Sequence, residues 1–130
     1  MYNIDDLESM LNEIIETFPP ELFRELNGGI VLLPELKLNP HGQAGDLVIL
    51  GEYQVSGLFG RMIAIYYGSM VKVYGHLPKD RMSEKLISTL KHEFRHHLES
   101  LAGERGLEIE DEQYIEAYLR GMRRAGLENK

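Results

Sequence analysis

Residues 83–101 read SEKLISTLKHEFRHHLESL, the run of the chain that says most about its fold. Leu86, Leu90, Phe94, Leu98 and Leu101 recur every three or four positions, with Ile87 at the edge of their stripe. That period is the signature of an amphipathic helix packed on a core. Ser83 is a reasonable N-cap, and Gly103 with Gly106 punctuates the end. On the helical wheel His92 and His96 lie almost opposite the apolar stripe. One side of the helix is expected to face the core and the other to line a cleft.

Within that helix residues 92–96 read HEFRH, an instance of H-E-x-x-H. Residues four apart lie one turn apart on the same face, so two imidazoles at this spacing can address one ion. Zinc accepts neutral imidazole at about 2.0–2.1 Å. Glu93 falls about 100° round the helix from His92, outside the first shell but near a water activated there. It is the candidate general base, and His92 and His96 are the candidate ligands of one Zn2+ ion. The plain alternative is a histidine pair on a solvated face. His97 points near the apolar stripe and is expected to be a neutral, hydrogen-bonded, partly buried histidine rather than a ligand. Arg95 should project to solvent or pair with Glu99.

At the start of the chain, Asn3 can cap a first helix with Asp5 and Asp6 in its first turn. Ile4, Leu7, Leu11, Ile14, Ile15 and Phe18 then recur at helical spacing, and Pro19-Pro20 ends the run. A short second helix, PELFRELN, is expected to stop at Gly28-Gly29. GIVLL, DLVIL, RMIAIYYG and MVKVYG read as strands, with Gly68-Ser69 as a tight turn between the last two. The stretch 34–46 reads as loop, and EYQVSGLFG as an irregular segment. A last helix is expected from about Asp111 to Ala125. Helices, then strands, then helices indicate an α+β architecture with a small mixed or antiparallel sheet, in one domain over residues 1–130.

The bulk numbers exclude several classes. The chain has 130 residues, a net charge of −7 and no cysteine. Its acidity argues against nucleic acid and against an anionic membrane surface as partners. The lack of cysteine excludes disulfides, a thiolate zinc site and a cysteine nucleophile. MYNIDDLESM shows no basic segment followed by an apolar run, so a cytoplasmic protein without a signal peptide is expected.

HEFRHHLESLAGERGLEIEDE resembles the active-site region of a zincin-like minimal metallopeptidase family, found mainly in bacteria. The upstream LGEYQVSG, Arg61, IAIYYG and VKVYG look like the segment that leads into that family's metal helix. The resemblance implies a zincin-like fold, one zinc ion, and hydrolysis of a peptide or protein substrate with Glu93 as base. The family's usual Gly and Asp, placed soon after the second His, are absent here. A longer connection, GERGLEIED, intervenes, and the resemblance then points to Asp111 as third ligand. Glu99, Glu104, Glu108 and Glu112 are the alternatives, and Asp111 also reads as a helix N-cap. An oxyanion-stabilising group would come from Tyr53, Tyr66, Tyr67, His41 or His76. Substrate would lie along a sheet edge supplied by RMIAIYYG or MVKVYG. The competing reading is a zincin-fold metal-binding protein with little or no peptidase activity, serving as a binding or regulatory module.

Overall fold

The computed structural model describes residues 1–40 and 47–104. Helix α1 spans Ile4–Glu16. Its start is a capping box: the Asn3 side chain accepts from the Asp6 amide at 2.8 Å, and the Asp6 carboxylate accepts from the Asn3 amide at 2.9 Å. Leu7, Met10, Leu11 and Ile14 form its buried face. A 3-10 helix, Pro20–Phe23, follows. The strands are β1 Gly29–Leu33, β2 Lys37–Leu38, β3 Val48–Ile49, β4 Gly51–Ser56 and β5 Gly60–Tyr66. Helix α2 covers Tyr67–Tyr74 and helix α3 covers Lys79–Glu104.

The architecture is α+β with a mixed sheet in the order β1-β5-β4. β1 runs parallel to β5, with Ile30 opposite Ile63, and β4 runs antiparallel to β5, with Tyr53 opposite Ile63. β2 and β3 form a separate two-stranded sheet. α3 packs against β4, β5 and α1. The core is shared by Leu7 and Leu11 of α1, Leu22 of the 3-10 helix, Ile63 and Ile65 of β5, and Leu86, Leu90 and Phe94 of α3. Phe94 is wholly buried and meets the rings of Phe18 and Phe23 at 5.5 and 5.2 Å. Burying such a side chain contributes about 2–3 kcal/mol.

Three strand expectations are corrected. MVKVYG is not a strand but most of α2, and Gly68-Ser69 lies in that helix's first turn rather than in a hairpin. The segment carries two periods at once. Val71 and Val73 alternate as in a strand, yet Tyr67, Met70, Val71 and Tyr74 stand at helical spacing, and these are the residues that pack on the core. Gly68 permits the helix to start there. A Cβ at Gly68 would lie 2.5 Å from the Leu36 amide nitrogen, and the Gly68 amide bonds the Glu35 carbonyl at 3.1 Å. EYQVSGLFG, expected to be irregular, supplies β4 and the short connection to β5. In DLVIL only Val48–Ile49 is strand, and its partner Lys37–Leu38 comes from the expected loop. α3 begins at Lys79, one turn before Ser83, which adds Met82 to the buried stripe. The expected helix from Asp111 lies outside the described residues. Among the described residues, no helix is long and apolar enough to cross a membrane.

Candidate functional site

β4 runs along a flank of α3, meeting it at Thr89 and His97, and a groove lies between the strand and the exposed side of the helix that carries His92 and His96. β4 is the outermost strand of its sheet, with no partner on its far side among the described residues. Gly51 allows the approach of strand to helix. A Cβ there would meet the Ala64 carbonyl oxygen, Ile65 Cδ1 and Thr89 Cγ2, each at 3.1 Å. His92 and Glu93 stand beside Gly51 at the middle of the groove. One cavity, of about 410 Å³, extends from them toward the start of α3, and a second extends past His96 and Tyr53 toward Glu99.

His92 and His96 are exposed, and their Nε2 atoms converge to 3.2 Å. Two nitrogens bound to one tetrahedral zinc at about 2.0–2.1 Å each stand about 3.3 Å apart. The separation of the pair therefore matches two corners of such an ion. The same separation is also that of one N–H···N bond between the rings. His96 Nδ1 faces Glu99 Oε1 at 3.5 Å. Donation there leaves the His96 Nε2 lone pair pointing toward His92, the orienting role that an outer carboxylate plays for a ligand imidazole. The Arg95 Nε–H donates to Glu99 at 3.2 Å, as its spacing predicts.

Glu93 is only 5% exposed. Burial pushes its carboxyl above the usual carboxylate range. The neighbouring His92 and His96, when charged, pull it partly back, Glu52 adds to the rise, and the Tyr53 backbone amide opposes it by hydrogen bonding the carboxylate. A carboxylate held this way is a stronger proton acceptor than one in water.

His97 behaves as its position on the wheel predicts. It is fully buried, and both ring nitrogens are engaged: Nε2 with the Arg24 carbonyl at 2.8 Å and Nδ1 with the Tyr53 hydroxyl at 2.9 Å. A carbonyl only accepts, so Nε2 carries the proton and Nδ1 accepts from Tyr53. Burial lowers its pKa below the ordinary imidazole value, against the Arg24 contact, which raises it. Glu25, next to that carbonyl, has φ +62°, the left-handed conformation that costs a non-glycine residue about 1–2 kcal/mol. Tyr53 thus ties β4 to α3 twice, by its hydroxyl to His97 and by its amide to Glu93.

The remaining candidates divide. Asp111, Glu108, Glu112 and His41 lie outside the described residues, as does the side chain of Glu104. Among the described residues no group of three or more His, Cys, Asp or Glu is placed to hold a metal ion. His76 is exposed in the turn after α2, and it lines neither cavity. The tyrosine hydroxyls are already engaged: Tyr53 with His97, Tyr67 with the Tyr2 carbonyl at 2.7 Å, and Tyr66 with Glu52 at 2.6 Å. Glu52 also accepts from Lys37 at 2.5 Å and from Gln54 at 3.2 Å. Burial would raise its pKa, but these donors outweigh burial and hold it below the usual range. The strand edge is also corrected. β5 is paired on both sides and MVKVYG is helical; the edge strands are β1 and β4, and β4 is the one that lines the groove with His92 and Glu93. Sequence reasoning missed Gly51, Tyr74, Lys85 and Thr89 as groove residues. Lys85 and Thr89 carried a usable signal, since they precede His92 by seven and three positions on the same helical face.

A solved structure of a conserved hypothetical protein from T. thermophilus matches with a TM-score of 0.65 and 32% sequence identity, covering 78% of this chain and 99% of that one. This chain belongs to the same family as that protein. No protein-family model and no curated protein matches the sequence.

Proposed function

We propose that this chain is a zinc-dependent peptidase of the zincin-like class, with His92 and His96 as two of the metal's ligands and Glu93 as general base. The observation that carries this reading is the convergence of the two Nε2 atoms to 3.2 Å with the buried Glu93 carboxyl beside them. Asp111 is the third ligand in this proposal, with Glu99, Glu104, Glu108 and Glu112 as alternatives. When bound, zinc would supply a Lewis acid that activates water and polarises a carbonyl. Glu93 takes a proton from the attacking water and later returns it to the departing amine. Tyr53 holds that carboxylate through its amide, and His97 holds Tyr53. The open edge of β4 aligns a peptide or protein substrate as an added strand.

One observation favours the second reading, a metal-binding module with little peptidase activity. The hydroxyls of Tyr53, Tyr66 and Tyr67 are all engaged, which leaves none of them free for a developing oxyanion.

The test compares wild type with Glu93→Gln after metal stripping and zinc reconstitution. Both should retain about one equivalent of zinc by elemental analysis. The wild type should hydrolyse members of a peptide library, and the variant should lose at least about a hundredfold of that rate. Zinc below a tenth of an equivalent in the wild type sinks the metal assignment, and equal turnover by both proteins sinks the base.

A further inference from the structure

The half of the groove nearer the start of α3 ends on a cation. Ile49, Leu50, Tyr74, Lys85 and Thr89 line this cavity together with His92 and Glu93. The Lys85 ammonium sits over the Tyr74 ring, 5.3 Å from its centroid. That contact stabilises the charge without neutralising it. Lys85 makes no ion pair among the described residues, and the adjacent Glu84 is turned to Arg81 at 3.5 Å. Among the described residues, neither half of the groove is lined by any other lysine or arginine. The opposite half instead carries the carboxyl residues Glu52 and Glu99. The groove is therefore polar along its length: a cation at one end, the histidines and Glu93 in the middle, acids at the other.

Lys85 precedes His92 by seven residues, two helical turns, or about 10 Å along the axis. An extended chain covers that span in about three residues. A peptide laid along β4 with its reacting bond at Glu93 brings a side chain or chain end to Lys85 within a few positions. Ile49 and Leu50 add apolar surface to the lining, so a charge pair there is less solvated than one on an open surface. The net charge of −7 works against an acidic ligand at long range. Salt screens that repulsion beyond about 8 Å and leaves the local pair.

We infer that this end of the groove is a recognition subsite for a carboxylate on the bound peptide, with Lys85 as its cation and Ile49 and Leu50 seating the methylenes that carry the acid. The inference rests on the reading that the groove holds peptide. The carboxylate is that of an acidic side chain or of the peptide's own C-terminus.

The test uses dansyl-labelled, C-terminally amidated hexapeptides of Ala and Leu carrying one Glu, Gln or Lys at each position in turn. A free-acid form of the Gln series is the second arm. Each is titrated by fluorescence anisotropy into zinc-loaded wild type, Glu93→Gln, Lys85→Gln and Lys85→Glu protein. In wild type and Glu93→Gln, Glu at one or two adjacent positions should bind about fivefold tighter than Gln, in keeping with a partly exposed ion pair. Lys85→Gln should erase that preference and Lys85→Glu should transfer it to the Lys peptides. A preference confined to the free-acid arm assigns the subsite to a chain terminus. Equal binding of the Glu, Gln and Lys peptides with no gain in the free-acid arm, a Glu or free-acid preference that persists in Lys85→Glu, or no binding of any peptide overturns the inference. Hydrolysis by wild type without charge preference overturns the subsite and leaves the peptidase reading intact. Charge-selective binding without hydrolysis upholds the subsite and overturns the peptidase reading.

Discussion

His96 and His97 are consecutive residues of one helix, yet they occupy opposite environments. The His96 ring is exposed, faces His92 across 3.2 Å, and has Glu99 behind it. The His97 ring is fully buried among core residues and gives both nitrogens to protein partners. A step of about 100° around the axis separates a side chain aimed into a groove from one locked in the interior. Histidine's chemistry is thus assigned by its helical face. The groove face offers lone pairs to a ligand, and the core face uses both nitrogens to join Tyr53 of β4 and Arg24 of the N-terminal region. Substitutions on the two faces should therefore fail in different ways.

The largest effect is expected in the deepest part of the core face. Phe94→Ala should lower the unfolding free energy by about 3–5 kcal/mol in urea titrations, because it leaves a cavity between Phe18, Phe23 and the helix. A loss under about 1 kcal/mol would mean that the site collapses freely and that the core assignment of this face is wrong. His97→Ala comes next, at about 2–4 kcal/mol, since it strands the Tyr53 hydroxyl and the Arg24 carbonyl.

The same residue predicts a pH dependence. The folded-state pKa of His97 is depressed by burial. Its contribution to stability is therefore present above about pH 6.5, the unfolded value, and is lost as pH falls through the folded value. Thermal melts of wild type and His97→Gln, followed from neutral pH down into the acid range, should converge at the acid end. Parallel curves would place the ring in a less buried setting.

The smallest stability effect belongs to the groove face. In metal-stripped protein, His92→Ala should stay within about 0.5 kcal/mol of wild type. Added zinc should then raise the melting temperature of wild type and leave His92→Ala where it was. A zinc-induced rise of equal size in both proteins would remove His92 from the ligand set and undo the contrast between the faces.

The legibility of these features follows the range of the interactions behind them. The two faces of α3, the position of His97 on the core side and the Arg95–Glu99 pair were readable because each depends on helical spacing alone. The Asn3 cap was readable for the same reason, since the capping box closes within three residues. The segment 67–74 was misread because Val71 and Val73 mimic strand alternation, and only the contacts of Tyr67, Met70 and Tyr74 decide in favour of a helix. β4 was missed as a strand, and with it the open edge. Its glycine at position 51 reads locally as a break, whereas in the fold it lets the strand lie against Thr89.

The order of residues was enough to establish that one amphipathic helix carries His92 and His96 away from a leucine-lined core, with Glu93 beside them, because a period near 3.6 residues acts over a single turn. What stands across from that helix is a matter of packing. Folding brought Arg24 to His97 across 73 residues and Tyr53 to His97 across 44. It also set β4 on the outside of the sheet and placed Tyr74 under Lys85. Such contacts come from the order of strands and the packing of helices upon them, which leave no period in the chain to be read.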